Sequence, residues 1–260
     1  MWLINTTTLG LEQVVDEQQC QFVILSHTWM PGGEVTFQDM EDMEDINNVA
    51  STKPGFEKIT RTCEIARRNN YKYAWIDTCC IDKTSSAELS EAINSMFRWY
   101  QKAEICYVFL SDFDPLPSKE ASKKTEDLNW DSLVEEKLGG CTWFTRGWTL
   151  QELIAPENMD FFDREWNLLG QKSKLVMPLS RITHIDESIL RDSSMLHTIP
   201  VARRMSWAAG RETTRTEDIA YCLLGIFDIN MPMLYGEGPK AFMRLQQHIA
   251  SETADLSLLA

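Results

Sequence analysis

Three short apolar runs dominate the first half of the chain, and each hands over abruptly to polar residues. They are QFVILS (21–26), YKYAWID (71–77) and ICYVFLS (105–111). Runs of this length and composition read as strands covered on both faces. Between them lie two segments with apolar residues at helical spacing. One spans 55–70, with Phe56, Ile59, Cys63 and Ala66 on one face. The other spans 85–104, with Leu89, Ile93, Met96, Phe97 and Tyr100 on one face and a capping box from Ser85 to Glu88. A short helix over 148–155, stopped by Pro156, and a strand over 159–163 continue the series. Such alternation leaves few solutions other than a parallel sheet with crossover helices on its faces. The expected fold is α/β, with a flavodoxin-like parallel sheet flanked by helices.

The remaining segments read differently. Residues 112–140 are polar, carry two prolines and suggest a long loop or insertion. Beyond about residue 170 the strand signals fade. Helices are expected over 200–210, with Pro200 in the first turn, over 214–227, with a capping box from Thr214 to Glu217, and over 238–255. The chain therefore divides into an α/β domain, 1–170, and an α-helical C-terminal extension, 171–260, packed on it.

The formal net charge of −14 argues against nucleic acid or an anionic membrane surface as partner. No apolar stretch approaches the ~20 residues that span a bilayer, so no membrane span is expected. The opening residues lack the basic start and apolar run of a signal peptide. Seven cysteines, odd in number and irregular in spacing, suit free thiols in a reduced, cytoplasmic setting.

Ligands of open parallel sheets bind beyond the carboxyl ends of the strands. Here the first strand delivers Ser26, His27 and Trp29, and the second delivers Asp77, Cys80, Asp82 and Lys83. The stretch WFTRGWTLQELIAP adds Trp143, Arg146, Trp148 and Glu152. Trp148 and Glu152 are four apart and share a helix face. An aromatic plane beside a carboxylate suits a ligand with a flat ring and a sugar, and Arg146 or Lys83 suits its phosphates. Plainer readings stand beside these. Trp148 and Glu152 also fit a buried structural pair, His27 a structural imidazole, and Cys79 and Cys80 small buried side chains. A thiol nucleophile would need Cys79 or Cys80 near His27, oriented by Asp77. A zinc site of Cys79, Cys80, Cys106 and His27 would lack the usual ligand spacing. Neither a G-x-G-x-x-G fingerprint nor a P-loop is present, so no Rossmann dinucleotide fold and no ATPase site are expected. No metal and no resident cofactor are assigned.

The blocks ILSHTW, YAWIDTCCID, AEICYVFLSD and WFTRGWTLQELIAP resemble, in order and spacing, those of the fungal heterokaryon-incompatibility (HET) domain, over roughly residues 20–165. The tail from SWAAGRETTRTEDIAYCLLGIF to KAF resembles the segment that often follows this domain. In that family a nucleotide-binding and repeat receptor region can follow, so such a region, in cis or in trans, is an expected partner. The resemblance implies non-self recognition and programmed cell death after hyphal fusion.

The order of elements, with W-x-x-x-E on a short helix, also looks like a Toll/interleukin-1 receptor (TIR) domain. In catalytic TIR domains that glutamate supports cleavage of NAD+. It falls on Glu152, and the aromatic residue before it on Trp148. The loop after the first TIR strand falls on Ser26 to Trp29, and the loop after the second on Asp77 to Lys83. His27, the paired cysteines and the 112–140 insertion depart from the TIR pattern. The resemblance implies an NAD+ glycohydrolase with NAD+ as substrate, Glu152 as the key carboxylate and the other strand-end residues as its binding site. It also implies a homo-oligomer on activation. The alternative it leaves is a non-catalytic death-signalling module that self-associates or recruits a partner.

Overall fold

The run beginning at Phe22 becomes the central strand of the sheet in a computed structural model, which describes residues 1–15, 20–41, 49–116, 130–253, 255 and 257. Strand β3 (Phe22–His27) is buried at every position. It is flanked by two parallel neighbours, β4 (Tyr73–Trp75) and β5 (Ile105–Phe109), and β6 (Met159–Phe162) continues in parallel beyond β5. The parallel strands thus lie in the order β4-β3-β5-β6. The first and second of them are exchanged relative to the chain, as in flavodoxin-like sheets, and the resulting switch point lies at their carboxyl edge.

The crossover helices form where the apolar spacing requires them. Helix α2 (Phe56–Arg68) buries Ile59, Cys63 and Ala66. Helix α3 (Ser86–Lys102) starts with the expected cap, the Ser85 hydroxyl accepting from the Glu88 amide. A small helix, α1 (Phe37–Glu41), sits in the connection after β3.

The expected parallel sheet forms the centre, and antiparallel strands extend both of its edges. A hairpin of β1 (Trp2–Asn5) and β2 (Leu11–Gln13) adds antiparallel strands beside β4, and β7 (Leu168–Gln171) adds one beside β6. These edge strands are short, and β2 and β7 are partly solvated, so they lack the continuous apolar runs that mark the central strands.

Within the 112–140 segment, α4 (Trp130–Gly139) is helical and residues 117–129 lie outside the described residues. Helix α5 (Thr149–Ile154) is buried at every residue. Helix α6 (Lys172–Thr183), which the sequence reading did not mark, packs on β6 and β7. Strand β7 itself runs across residue 170, where the expected boundary lay. Helices α7 (Glu187–Arg191) and α8 (Val201–Ser206) follow.

The expected helix over 214–227 is instead two short helices, α9 (Asp218–Tyr221) and α10 (Leu224–Phe227). Its capping box does not form because Glu217 is engaged elsewhere. The carboxylate accepts the amides of Gly236 and Gly238 at 2.8 and 2.9 Å. Both glycines have positive φ, 104° and 60°, which a side chain would oppose. The chain ends in α11 (Lys240–Glu252).

Two features bind the C-terminal segment to the rest. Helix α10 lies so close to α3 that a Cβ on Gly225 would fall 2.0 Å from the Cβ of Phe97. The Glu212 backbone bridges the strand-like residues before α5, its amide donating to the Thr145 carbonyl and its carbonyl accepting from Gly147, at 2.7 and 2.8 Å. Among the described residues no helix is long and apolar enough to cross a membrane.

Candidate active site

At the carboxyl end of β3, Ser26 is wholly buried, and its hydroxyl donates to the Glu152 carboxylate of α5. The indole N–H of Trp143 donates to the same hydroxyl at 2.8 Å. Trp143 thereby occupies the acceptor side of Ser26 and turns its proton toward Glu152. The carboxylate is 5% exposed. Burial first, and the nearby charge of Asp77 second, push Glu152 up to about 8, against the opposing pull of the Ser26 hydrogen bond.

The next residue, His27, sits between opposite charges. The ammonium of Lys58, from α2, reaches its Nδ1 at 3.0 Å and also donates to the Thr28 carbonyl and to Glu34. A lysine has only donors, so Nδ1 accepts and Nε2 carries the proton. Nε2 faces Asp77 Oδ1 at 3.3 Å. The other Asp77 oxygen accepts the indole N–H of Trp29 at 2.9 Å. Burial alone would raise Asp77, but the His27 hydrogen bond, the nearby Lys83 cation and the Trp29 indole outweigh it and hold its carboxyl below the usual range. Lys83 ties this loop together. It donates to the carbonyls of Asp77 and Thr78 and lies 4.3 Å over the Trp29 ring.

These groups open onto a cavity of about 270 Å³. Of the residues expected at the site, His27, Trp29, Asp77, Lys83, Arg146, Trp148 and Glu152 line it. Ser26 and Trp143 stand one layer behind, as the support of Glu152. Two others lie elsewhere. Cys80 is buried against the backbone of Ile76 and lines a separate cavity beside the amino terminus. Asp82 is used by its own loop, accepting from Thr84 and from Gln38 of α1. Its short side chain follows the turn after β4 and does not line the Glu152 cavity.

The opposite wall was not foreseen. Thr214, Arg215, Asp218 and Tyr235 of the C-terminal segment line the same cavity. Asp218 accepts the Tyr235 hydroxyl at 3.0 Å. Arg146 donates to Thr214 at 3.0 Å. No strand-end rule points to these residues, because they come from irregular chain around α9.

The family described as heterokaryon incompatibility protein (HET) matches residues 22–152, half of this chain. The chain belongs to the HET family. It is also similar to the vegetative incompatibility protein HET-E-1 of Podospora anserina, with 44% identity over 238 residues. That similarity covers 91% of this chain but only 16% of the relative. No solved structure matches.

The HET match begins with β3 and ends at Glu152, so it contains the Ser26–Glu152 pair and the His27–Asp77 network. The facing wall from Thr214 to Tyr235 lies outside it. The thiol alternatives are not assembled in this HET domain. His27 is engaged by Lys58 and Asp77, and burial drives the Cys80 thiol well above its ordinary range. Among the described residues no three His, Cys, Asp or Glu side chains are grouped to hold a metal ion. All seven cysteines are unpaired.

Proposed function

We propose that this HET domain cleaves NAD+ at the nicotinamide–ribose bond, and that this activity serves vegetative incompatibility and cell death. The observation that carries the proposal is a buried carboxylate, Glu152, on the floor of a cavity that it shares with the indole of Trp148. Nicotinamide leaves a cationic pyridinium as a neutral molecule, taking the bonding pair of the C1′–N bond. It needs no general acid, unlike the leaving oxygen of most glycosides. The site has to stabilise positive charge growing on the ribose, and a carboxylate held in a dry pocket does this best. Water then adds to C1′ and releases one proton, giving ADP-ribose. A cationic substrate beside Glu152 favours its ionised form. The Ser26 hydroxyl, backed by Trp143, holds that form in place. The order β4-β3-β5-β6, with the glutamate on the short helix before β6, supports the TIR analogy.

The incompatibility role rests on HET membership and on the printed name of the Podospora relative. By the same TIR analogy the domain acts in the cytoplasm and gains activity on self-association. A second reading has one observation in its favour. Glu152 is nearly enclosed and hydrogen-bonded, as a structural carboxylate would be in a signalling module without turnover.

The deciding experiment follows nicotinamide release from NAD+ by concentrated protein, free and fused to a clustering domain, for the native chain and Glu152→Gln. Release by the native chain alone supports the glycohydrolase. No release by folded, clustered native protein transfers the proposal to the signalling module.

A further inference from the structure

The cavity has unlike ends. Glu152 lies deep, while Lys83, Arg215 and Thr214 are exposed at the rim. Three cations, Lys83, Arg146 and Arg215, surround one opening in a chain whose formal net charge is −14. Lys83 is committed to two backbone carbonyls and Arg146 partly to Thr214. Arg215 is different. Its guanidinium carbon lies over the Tyr235 ring, 4.4 Å from the centroid, near the charges of Asp218 and Glu217, and the guanidinium has no hydrogen-bond partner among the described residues. The ring beneath it is anchored, because the Tyr235 hydroxyl donates to the buried Asp218. A guanidinium held over a ring without hydrogen-bond partners keeps its fork of donors available for paired phosphate oxygens.

We propose that Arg215, paired with Arg146 across the rim, forms a subsite for the diphosphate of a nucleotide ligand, built by the C-terminal segment. This rests on the reading of the same cavity as a dinucleotide site. The deep carboxylate receives the sugar that carries the cationic base. The rim receives the two phosphates, and Tyr235 and Asp218 are positioning residues that present Arg215. The segment around α9 is then a working wall of the pocket.

The test measures binding of ADP-ribose, which lacks the scissile bond, and of adenosine, which lacks the phosphates, to the full chain. Native protein is compared with Arg215→Ala, Arg146→Ala and Arg215→Lys. Arg215 is exposed, so its variants keep the native melting temperature, which is checked first. The expected result is tighter binding of ADP-ribose than of adenosine. Arg215→Ala is expected to lose at least tenfold for ADP-ribose and nothing for adenosine, with Arg215→Lys between. Equal affinity for the two ligands, or ADP-ribose binding indifferent to Arg215→Ala, overturns the subsite. NAD+ turnover is assayed separately. Turnover that survives Arg215→Ala with unchanged KM overturns the subsite and leaves the glycohydrolase standing. Phosphate-dependent binding without turnover does the reverse.

Discussion

Ser26 donates its hydroxyl to Glu152 across 126 positions of sequence, linking the central strand of the sheet to the helix that carries the carboxylate. The contact is specific because Trp143 occupies the other side of the hydroxyl. It fixes the orientation of a carboxyl group that burial raises to about 8, and it opposes part of that rise.

The first prediction concerns stability and pH. Glu152 is raised from 4.5 to about 8 in the folded chain. Between those values the folded state holds a proton that the unfolded state has released, so stability falls as pH rises through this window. The Glu152→Gln variant lacks this loss. Thermal melts from pH 5 to pH 9 should show the native chain losing several kcal/mol relative to the variant, at about 1.4 kcal/mol per pKa unit. Parallel curves would contradict a buried, titrating Glu152.

A second prediction joins the pH profile to Ser26. If ionised Glu152 drives NAD+ cleavage, kcat/KM rises about tenfold per pH unit below its pKa of about 8 and levels above it. Removing the donor with Ser26→Ala moves that rise to higher pH, since the hydrogen bond favours the ionised form. It also strands the Trp143 indole N–H, at about 1–3 kcal/mol of stability. An unmoved profile would separate Ser26 from Glu152 chemistry.

Lys58 offers a third. It is 5% exposed and reaches Glu34, the Thr28 carbonyl and His27 Nδ1. The Lys58→Met variant leaves the Glu34 carboxylate without its cation and should cost about 3 kcal/mol in denaturant unfolding. In the native chain, nitrogen NMR should find the His27 proton on Nε2. A proton on Nδ1 would rule out the donor arrangement described for this loop.

The fourth tests the docking of the C-terminal segment. A methyl at Gly225 meets the Phe97 side chain at 2.0 Å, so Gly225→Ala forces α10 away from α3. Overpacking of this kind costs about 1–3 kcal/mol. Phe97→Ala keeps the Cβ that Gly225→Ala meets, whereas Phe97→Gly removes it and in the double variant should recover part of the loss. Additive losses would mean that the two residues do not share this contact.

The elements legible in the sequence were those whose local signals and tertiary roles agree. Phe22 to Ser26 is apolar because the strand is covered on both faces, and Ser85 caps α3 as its spacing to Glu88 implies. The misread elements are those where tertiary partners override local signals. Glu217 bears a capping-box spacing yet serves the turn at Gly236 and Gly238, and the helix expected around it splits. The edge strands β2 and β7 need little apolar surface and leave little trace. The strand-end rule located His27, Asp77 and Lys83. It misplaced Cys80, whose thiol turns toward the backbone of Ile76. Arg215 and Tyr235 meet the cavity only through the fold of the C-terminal segment, about which the strand ends carry no information.

The backbone bridge at Glu212 couples two stretches of chain that a family boundary at residue 152 would separate. Recombination between relatives that exchanges only the matched stretch would set one parent's pocket floor against the other parent's rim. What is inherited as a structural unit is then the joined pair, whose two parts supply Arg146 and Arg215 to one cavity wall.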